Sequence, residues 1–176
     1  MAMEAGEQLK EYGCERPTHI FVQAGVGSLA GAVVGYYSNL YADNPPTFVV
    51  VEAEAAACLY KGAAAGDGDI RIVDGDMETI MAGLACGEPN TISWDILKNH
   101  VKVFIAAPDW VAANGMRMLG APIKGDAPVT SGESGAAPFG ALAAVMTMDE
   151  YKDLRNDIGL DASSKVLLFS TEGDTD

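Results

Sequence analysis

The stretch His19-Ile20-Phe21-Val22-Gln23-Ala24-Gly25-Val26-Gly27-Ser28-Leu29-Ala30-Gly31 decides the fold. His19 to Val22 is a short apolar run of the kind that forms a buried strand. Ala24-Gly25-Val26-Gly27 turns the chain, and Ser28 to Tyr41 continues as a helix whose small residues Ala30, Gly31 and Gly35 permit close packing. Asn44-Pro45-Pro46 stops that helix, and the β-branched run Thr47 to Val51 is predicted to lie parallel to the first strand, completing a βαβ unit. The turn carries chemistry. Successive N–H groups beside glycines, at the positive end of a helix dipole, suit an anion such as a phosphate without any lysine. The Ser28 hydroxyl offers one more donor, and bulk added at Gly27 is expected to meet the bound anion. The alternative role for these glycines is helix-on-sheet packing alone.

Outward from this unit, residues 2 to 12 read as a polar helix ended by Gly13 and Pro17. Downstream, a helix is predicted from Glu54 to Lys61, a Gly/Asp-rich loop through Asp69, a strand from Ile70 to Val73 and a helix from Met77 to Cys86. A helix from Ser93 to Asn99, a strand from Val101 to Ala106 and a helix from Asp109 to Leu119 follow. After the loop Pro122 to Val129 and the turn Ser131 to Gly135 come helices Ala136 to Met148 and Asp149 to Ile158, then a last strand, Val166 to Phe169. The alternation predicts one α/β domain, an open, mostly parallel twisted sheet with helices on both faces. The chain stops a few residues past a strand end, where such folds place ligands. A truncated domain, part of a longer enzyme, is therefore expected.

Composition narrows the function. Of 176 residues, 25 are acidic and 11 basic, a formal charge of -14, which disfavours nucleic acid and anionic membranes as partners. Cys14, Cys58 and Cys86 form no CxxC pair, so reduced thiols in the cytoplasm are expected rather than a disulfide framework or a zinc knuckle. No run reaches the roughly 18 apolar residues of a membrane span. His19 and His100 leave little material for a metal site or a Ser-His-Asp relay. Gly25, Gly27 and Ala30 also match G-x-G-x-x-A, with Glu52 ending the next strand where a dinucleotide site holds ribose, and the first fifty residues do not decide between the two readings.

Three later segments are GDMETIMAGLACGEPN from Gly75, SGESGA from Ser131 and STEGDTD from Ser170. Together with the glycine turn they resemble the diaminopropionate ammonia-lyases, within the tryptophan synthase β-like (fold type II) pyridoxal phosphate enzymes. The resemblance runs over essentially the whole chain. It implies pyridoxal 5'-phosphate as cofactor, with Ala24, Gly25, Val26, Gly27 and Ser28 as its phosphate cradle and Ser170 or Thr171 facing the pyridine nitrogen. Glu133 lies in a turn similar to the EPxGA turn of related dehydratases; it is a candidate contact for substrate or cofactor, or a cap for the helix after it. Glu52 is similar to a Val-Glu-Pro glutamate that binds a divalent cation in some relatives, but Ala53 replaces the proline and no metal is expected.

The resemblance also implies a lysine that forms an imine with the cofactor, and proton-transferring aspartates, both in motifs upstream of this chain, so that the domain is expected to be incomplete at its N-terminal side. None of the seven lysines, Lys10, Lys61, Lys98, Lys102, Lys124, Lys152 and Lys165, has that context. The intact enzyme is then expected to carry out α,β-elimination of 2,3-diaminopropionate to pyruvate and ammonia, as a homo-oligomer acting on a small amino acid, with this chain inactive by itself. The competing readings are a Rossmann-type NAD(P)-binding oxidoreductase domain and a non-catalytic small-molecule binding domain.

Overall fold

The computed structural model describes residues 1–174; Thr175 and Asp176, the end of the STEGDTD segment, lie outside the described residues. Four strands, β1 (His19–Gln23), β2 (Thr47–Ala53), β3 (Val101–Ala107) and β4 (Val166–Leu168), form one sheet in the order β3-β2-β1-β4. Every pairing is parallel, and His19 to Gln23 run beside Thr47 to Val51 in unbroken register. Parallel strands need a long crossover between them, and here helices supply it.

Among the described residues α1 (Ala2–Glu11) precedes β1, and six helices lie in the crossovers: α2 (Ser28–Leu40), α3 (Cys58–Ala65), α4 (Thr91–His100), α5 (Asp109–Gly120), α6 (Glu133–Thr147) and α7 (Lys152–Asp157). Alternate strand residues face opposite layers. Ile20, Val22, Phe48 and Val50 share a core with Val33 and Val34 of α2, Leu59 of α3 and Trp94 and Leu97 of α4. Phe21, Val49 and Val51 share the other with Val111 and Ala112 of α5 and Ala137, Ala141 and Val145 of α6. Because both faces are covered, the strands read as continuous apolar runs. Each buried aliphatic side chain contributes on the order of 1.5–3 kcal/mol. Small residues set the layer spacing: a Cβ at Gly115 would collide with the Ala136 carbonyl, and one at Gly140 with that of Val111, so α5 and α6 touch backbone to backbone.

Two predicted elements do not form. Ile70 to Val73 has no strand neighbour; Ile70 and Ile72 are exposed, and the Val73 N–H is taken by the Gly87 carbonyl at 2.9 Å. Met77 to Cys86 is an irregular loop with one 3-10 turn at Ala82–Leu84. Met77 has a positive φ of 46°, and Thr79 and the Ile80 N–H bond to the carboxylate of Asp109. Those tertiary bonds replace helical ones, while Met81 and Leu84 anchor the loop in the core under α6.

The sheet order places the reversal of chain direction between β1 and β4. The path leaves β1 on one side for β2 and β3, and returns on the other for β4. A crevice at the carboxyl ends of the strands flanking such a switch point is where open α/β sheets bind ligands.

Candidate functional site

At that switch point a cavity of about 350 Å³ is lined by Gln23 to Leu29, Gly83, Leu84, Cys86, Ser134, Thr171 and Glu172. Four segments far apart in sequence meet here: the turn after β1, the loop after Met81, the start of α6 and the chain after β4.

The turn after β1 exposes a row of backbone donors. Ala24, the residue after β1, donates its N–H to the Val51 carbonyl at 2.9 Å. From there the chain swings into α2 through Gly27, at φ 92°. Among the described residues the N–H groups of Gly25, Val26, Gly27 and Ser28 find no protein acceptor. Unpaired donors at a helix start, with the Ser28 hydroxyl exposed beside them, are the means by which backbone binds phosphate. The expectation for Gly27 is corrected. A Cβ there would point away from the cavity, 3.1 Å from Leu97 and 3.3 Å from Leu59, so bulk meets the core and not the anion. Gly25 instead serves a close approach, its missing Cβ lying 3.3 Å from the Gly83 carbonyl and 3.4 Å from Cys86.

Ser170 and Thr171 diverge. The Ser170 hydroxyl donates to Ser131 at 2.9 Å, and Ser170 does not line this cavity. Thr171 lines it, and its hydroxyl oxygen accepts from Gln23 Nε2 at 2.9 Å. Gln23, almost wholly buried at the end of β1, uses its other N–H on the Phe169 carbonyl at 2.8 Å, while its Oε1 has no partner among the described residues.

Glu133 starts α6, three residues earlier than predicted, and does not cap it. The cap is the carboxylate of Glu172, which accepts from the N–H groups of Ser134 at 2.6 Å and Gly135 at 3.2 Å, while the Gly132 N–H bonds to the Glu172 carbonyl at 3.0 Å. An anion on those donors supplies the helix start. Ser134 accepts from the Gly83 N–H at 3.2 Å, tying the loop over the cavity to the same helix. Glu133 itself is half-buried and outside the cavity wall. Gln23, Glu172, Ser134 and Gly83 were not singled out from sequence; a polar residue closing an apolar strand was the available signal for Gln23.

Glu52 is spent elsewhere. Its carboxylate accepts from Leu59 at 2.8 Å and Tyr60 at 2.7 Å, capping α3 inside the protein, where neither a ribose nor a cation reaches it. Burial pushes its carboxyl up to about 7 against the opposing effect of those two N–H groups. Neighbouring Cys58, buried against Glu52, is pushed up to about 12 by the same desolvation, which makes it an inert thiol.

No lysine lines the cavity among the described residues. A larger hollow, about 520 Å³ beside Trp94, does carry Lys98 and Lys102. It sits at the start of β3, away from the strands' carboxyl ends. Lys98 there pairs with Asp95 at 2.7 Å and Lys102 with Asp157 at 3.4 Å, so its cations are already engaged.

The switch-point cleft with its glycine turn agrees with the family match: residues 1–168 match the pyridoxal-phosphate dependent enzymes, and the chain belongs to that family. Within it, the chain is similar to the diaminopropionate ammonia-lyases. That of Salmonella typhimurium is 53% identical over 99% of this chain and 44% of its own length. That of Escherichia coli K12 is 48% identical over 100% of this chain and 44% of its own length. The crystal structure of the Escherichia coli enzyme in complex with an aminoacrylate-PLP azomethine reaction intermediate superposes with a TM-score of 0.89 at 46% identity, covering 99% of this chain and 43% of that one. Maize serine racemase, at 22% identity and a TM-score of 0.75 over 99% of this chain and 46% of that one, shares the fold. The chain thus spans less than half the length of each of these four relatives. The family match removes the dinucleotide reading, as does the placement of Glu52.

Proposed function

We propose that this chain supplies the phosphate and ring-nitrogen contacts of a pyridoxal phosphate-dependent lyase that eliminates ammonia from 2,3-diaminopropionate and yields pyruvate. The row of N–H groups at Gly25 to Ser28 that find no protein acceptor among the described residues, in a turn that lines the same cavity as Thr171, carries the reading. Those N–H groups hold the phosphate, and the Ser28 hydroxyl adds a donor. Thr171, not Ser170, meets the pyridine nitrogen, because the Ser170 proton is already given to Ser131. The loop at Gly83 to Cys86 covers the ring, and Glu133, one residue before the cavity-lining Ser134, meets the substrate. When bound, the cofactor supplies an electron sink for the negative charge that develops at Cα.

No lysine of this chain stands at the cavity, so the reading assigns the covalent attachment, the proton transfers and turnover to residues outside it. A cytoplasmic setting accords with the three free cysteines, and the exposed Ile92, Trp110 and Ile123 offer apolar surface for self-association. The test is titration with pyridoxal phosphate followed by borohydride reduction and peptide mapping. Saturable binding weakened at least tenfold by Ser28→Asp, with no lysine labelled stoichiometrically, is the expected result. Binding indifferent to Ser28→Asp, or one lysine fully labelled with pyruvate released, would overturn it.

A further inference from the structure

The bonding of Gln23 fixes more than the position of its neighbour. Its Nε2 stands 2.8 Å from the Phe169 carbonyl, an atom that only accepts, so the amide must present its nitrogen to that side. Turning the amide over would set two oxygens against each other at that distance. The same nitrogen stands 2.9 Å from the Thr171 hydroxyl oxygen, and an amide nitrogen does not accept. Thr171 must therefore accept from Gln23, and its own O–H proton is left for something else. The orientation is held although it leaves Gln23 Oε1 buried with no partner, an arrangement that costs on the order of 1–3 kcal/mol. Among the described residues no protein acceptor takes the Thr171 proton, and Thr171 lines the cavity.

We propose that Gln23 is a positioning residue that commits the Thr171 hydroxyl to donate into the cavity, so that the site selects a ring nitrogen carrying a lone pair over one carrying a proton or a methyl group. The inference rests on the cofactor reading above. It makes the preference a property of a buried amide two bonds removed from the ligand. A free threonine hydroxyl rotates and serves donor and acceptor alike; one already accepting from Gln23 donates. The Phe169 carbonyl is the lock, since it alone forbids the other amide orientation.

The probe is pyridoxine 5'-phosphate, which lacks the aldehyde and so cannot react with lysine, compared with its N-methylpyridinium analogue. Binding of both to the full chain is followed by tryptophan fluorescence at neutral pH. The unaltered chain is expected to prefer pyridoxine phosphate by tenfold or more. Gln23→Met and Gln23→Leu should keep phosphate-driven binding while the preference falls to threefold or less, and Thr171→Ser should retain it where Thr171→Val loses it. A preference unchanged in a folded Gln23 variant overturns the inference and leaves the cofactor reading standing. Failure of the unaltered chain to bind either compound overturns both. Should the Gln23 variants not fold, the ¹⁵N shift of the ring nitrogen bound to the unaltered chain decides: a hydrogen-bonded neutral pyridine is expected, and a pyridinium shift refutes.

Discussion

Replacing Glu52 by glutamine should flatten part of the pH dependence of stability. The glutamate is 1% exposed and accepts from the Leu59 and Tyr60 N–H groups at the start of α3. Burial raises its carboxyl from an ordinary 4.5 to about 7. An acid whose pKa is higher in the folded state binds its proton more tightly there, so its stabilising contribution is complete below pH 4.5 and is lost as pH rises through 7. At about 1.36 kcal/mol per unit, the whole change is about 3 kcal/mol, of which about 2.5 kcal/mol falls between about pH 5 and pH 8. The substituted amide cannot ionise, and its mismatch with one of the two N–H groups, a cost of about 1–3 kcal/mol, is the same at every pH. Subtracting the two proteins' stabilities cancels the general repulsion of a chain carrying a net charge of -14. Urea unfolding of both proteins across that pH range is the assay. The advantage of the parent over Glu52→Gln should shrink by about 2.5 kcal/mol from the acid end to the alkaline end; parallel profiles would refute the burial argument.

Gly27→Ala should destabilise the fold by about 1–2 kcal/mol from the left-handed backbone, and Gly27→Val by about 2–5 kcal/mol once crowding of Leu59 and Leu97 is added, read by denaturant midpoints without any ligand. Gly25→Ala has no such backbone strain and should disturb ligand affinity more than the midpoint, by pressing on Gly83 and Cys86. Glu172→Ala removes the anion from the start of α6 and should cost about 1–2 kcal/mol, with faster amide exchange at Ser134 and Gly135 measured by NMR.

The sequence and the structure part company where long-range bonds compete with local pattern. Met77 to Cys86 has the apolar content of a helix, but Asp109, some thirty positions away, binds Thr79 and Ile80 and holds the segment open as the cavity's wall. Glu133 starts its helix before the Gly/Ser turn is complete because Glu172, almost forty positions on, provides the cap. Neither partner is visible to a reading of neighbours.

What the sequence determined by itself was local and repetitive. Apolar runs, glycine turns and proline stops specified β1 to β4, most helices, the doubly wound sheet and the glycine turn at Gly25 to Ser28, because each depends on residues within a turn or two of one another. Tertiary structure alone decided direction and allegiance. It turned Glu52 inward to cap α3, pointed the Gly27 position at the core instead of the cavity, and gave the Ser170 proton to Ser131. Among the described residues it also left that of Thr171 without an acceptor, because a buried Gln23 is oriented by the carbonyl of Phe169, the residue after β4, a strand that pairs only after the chain has crossed the whole sheet.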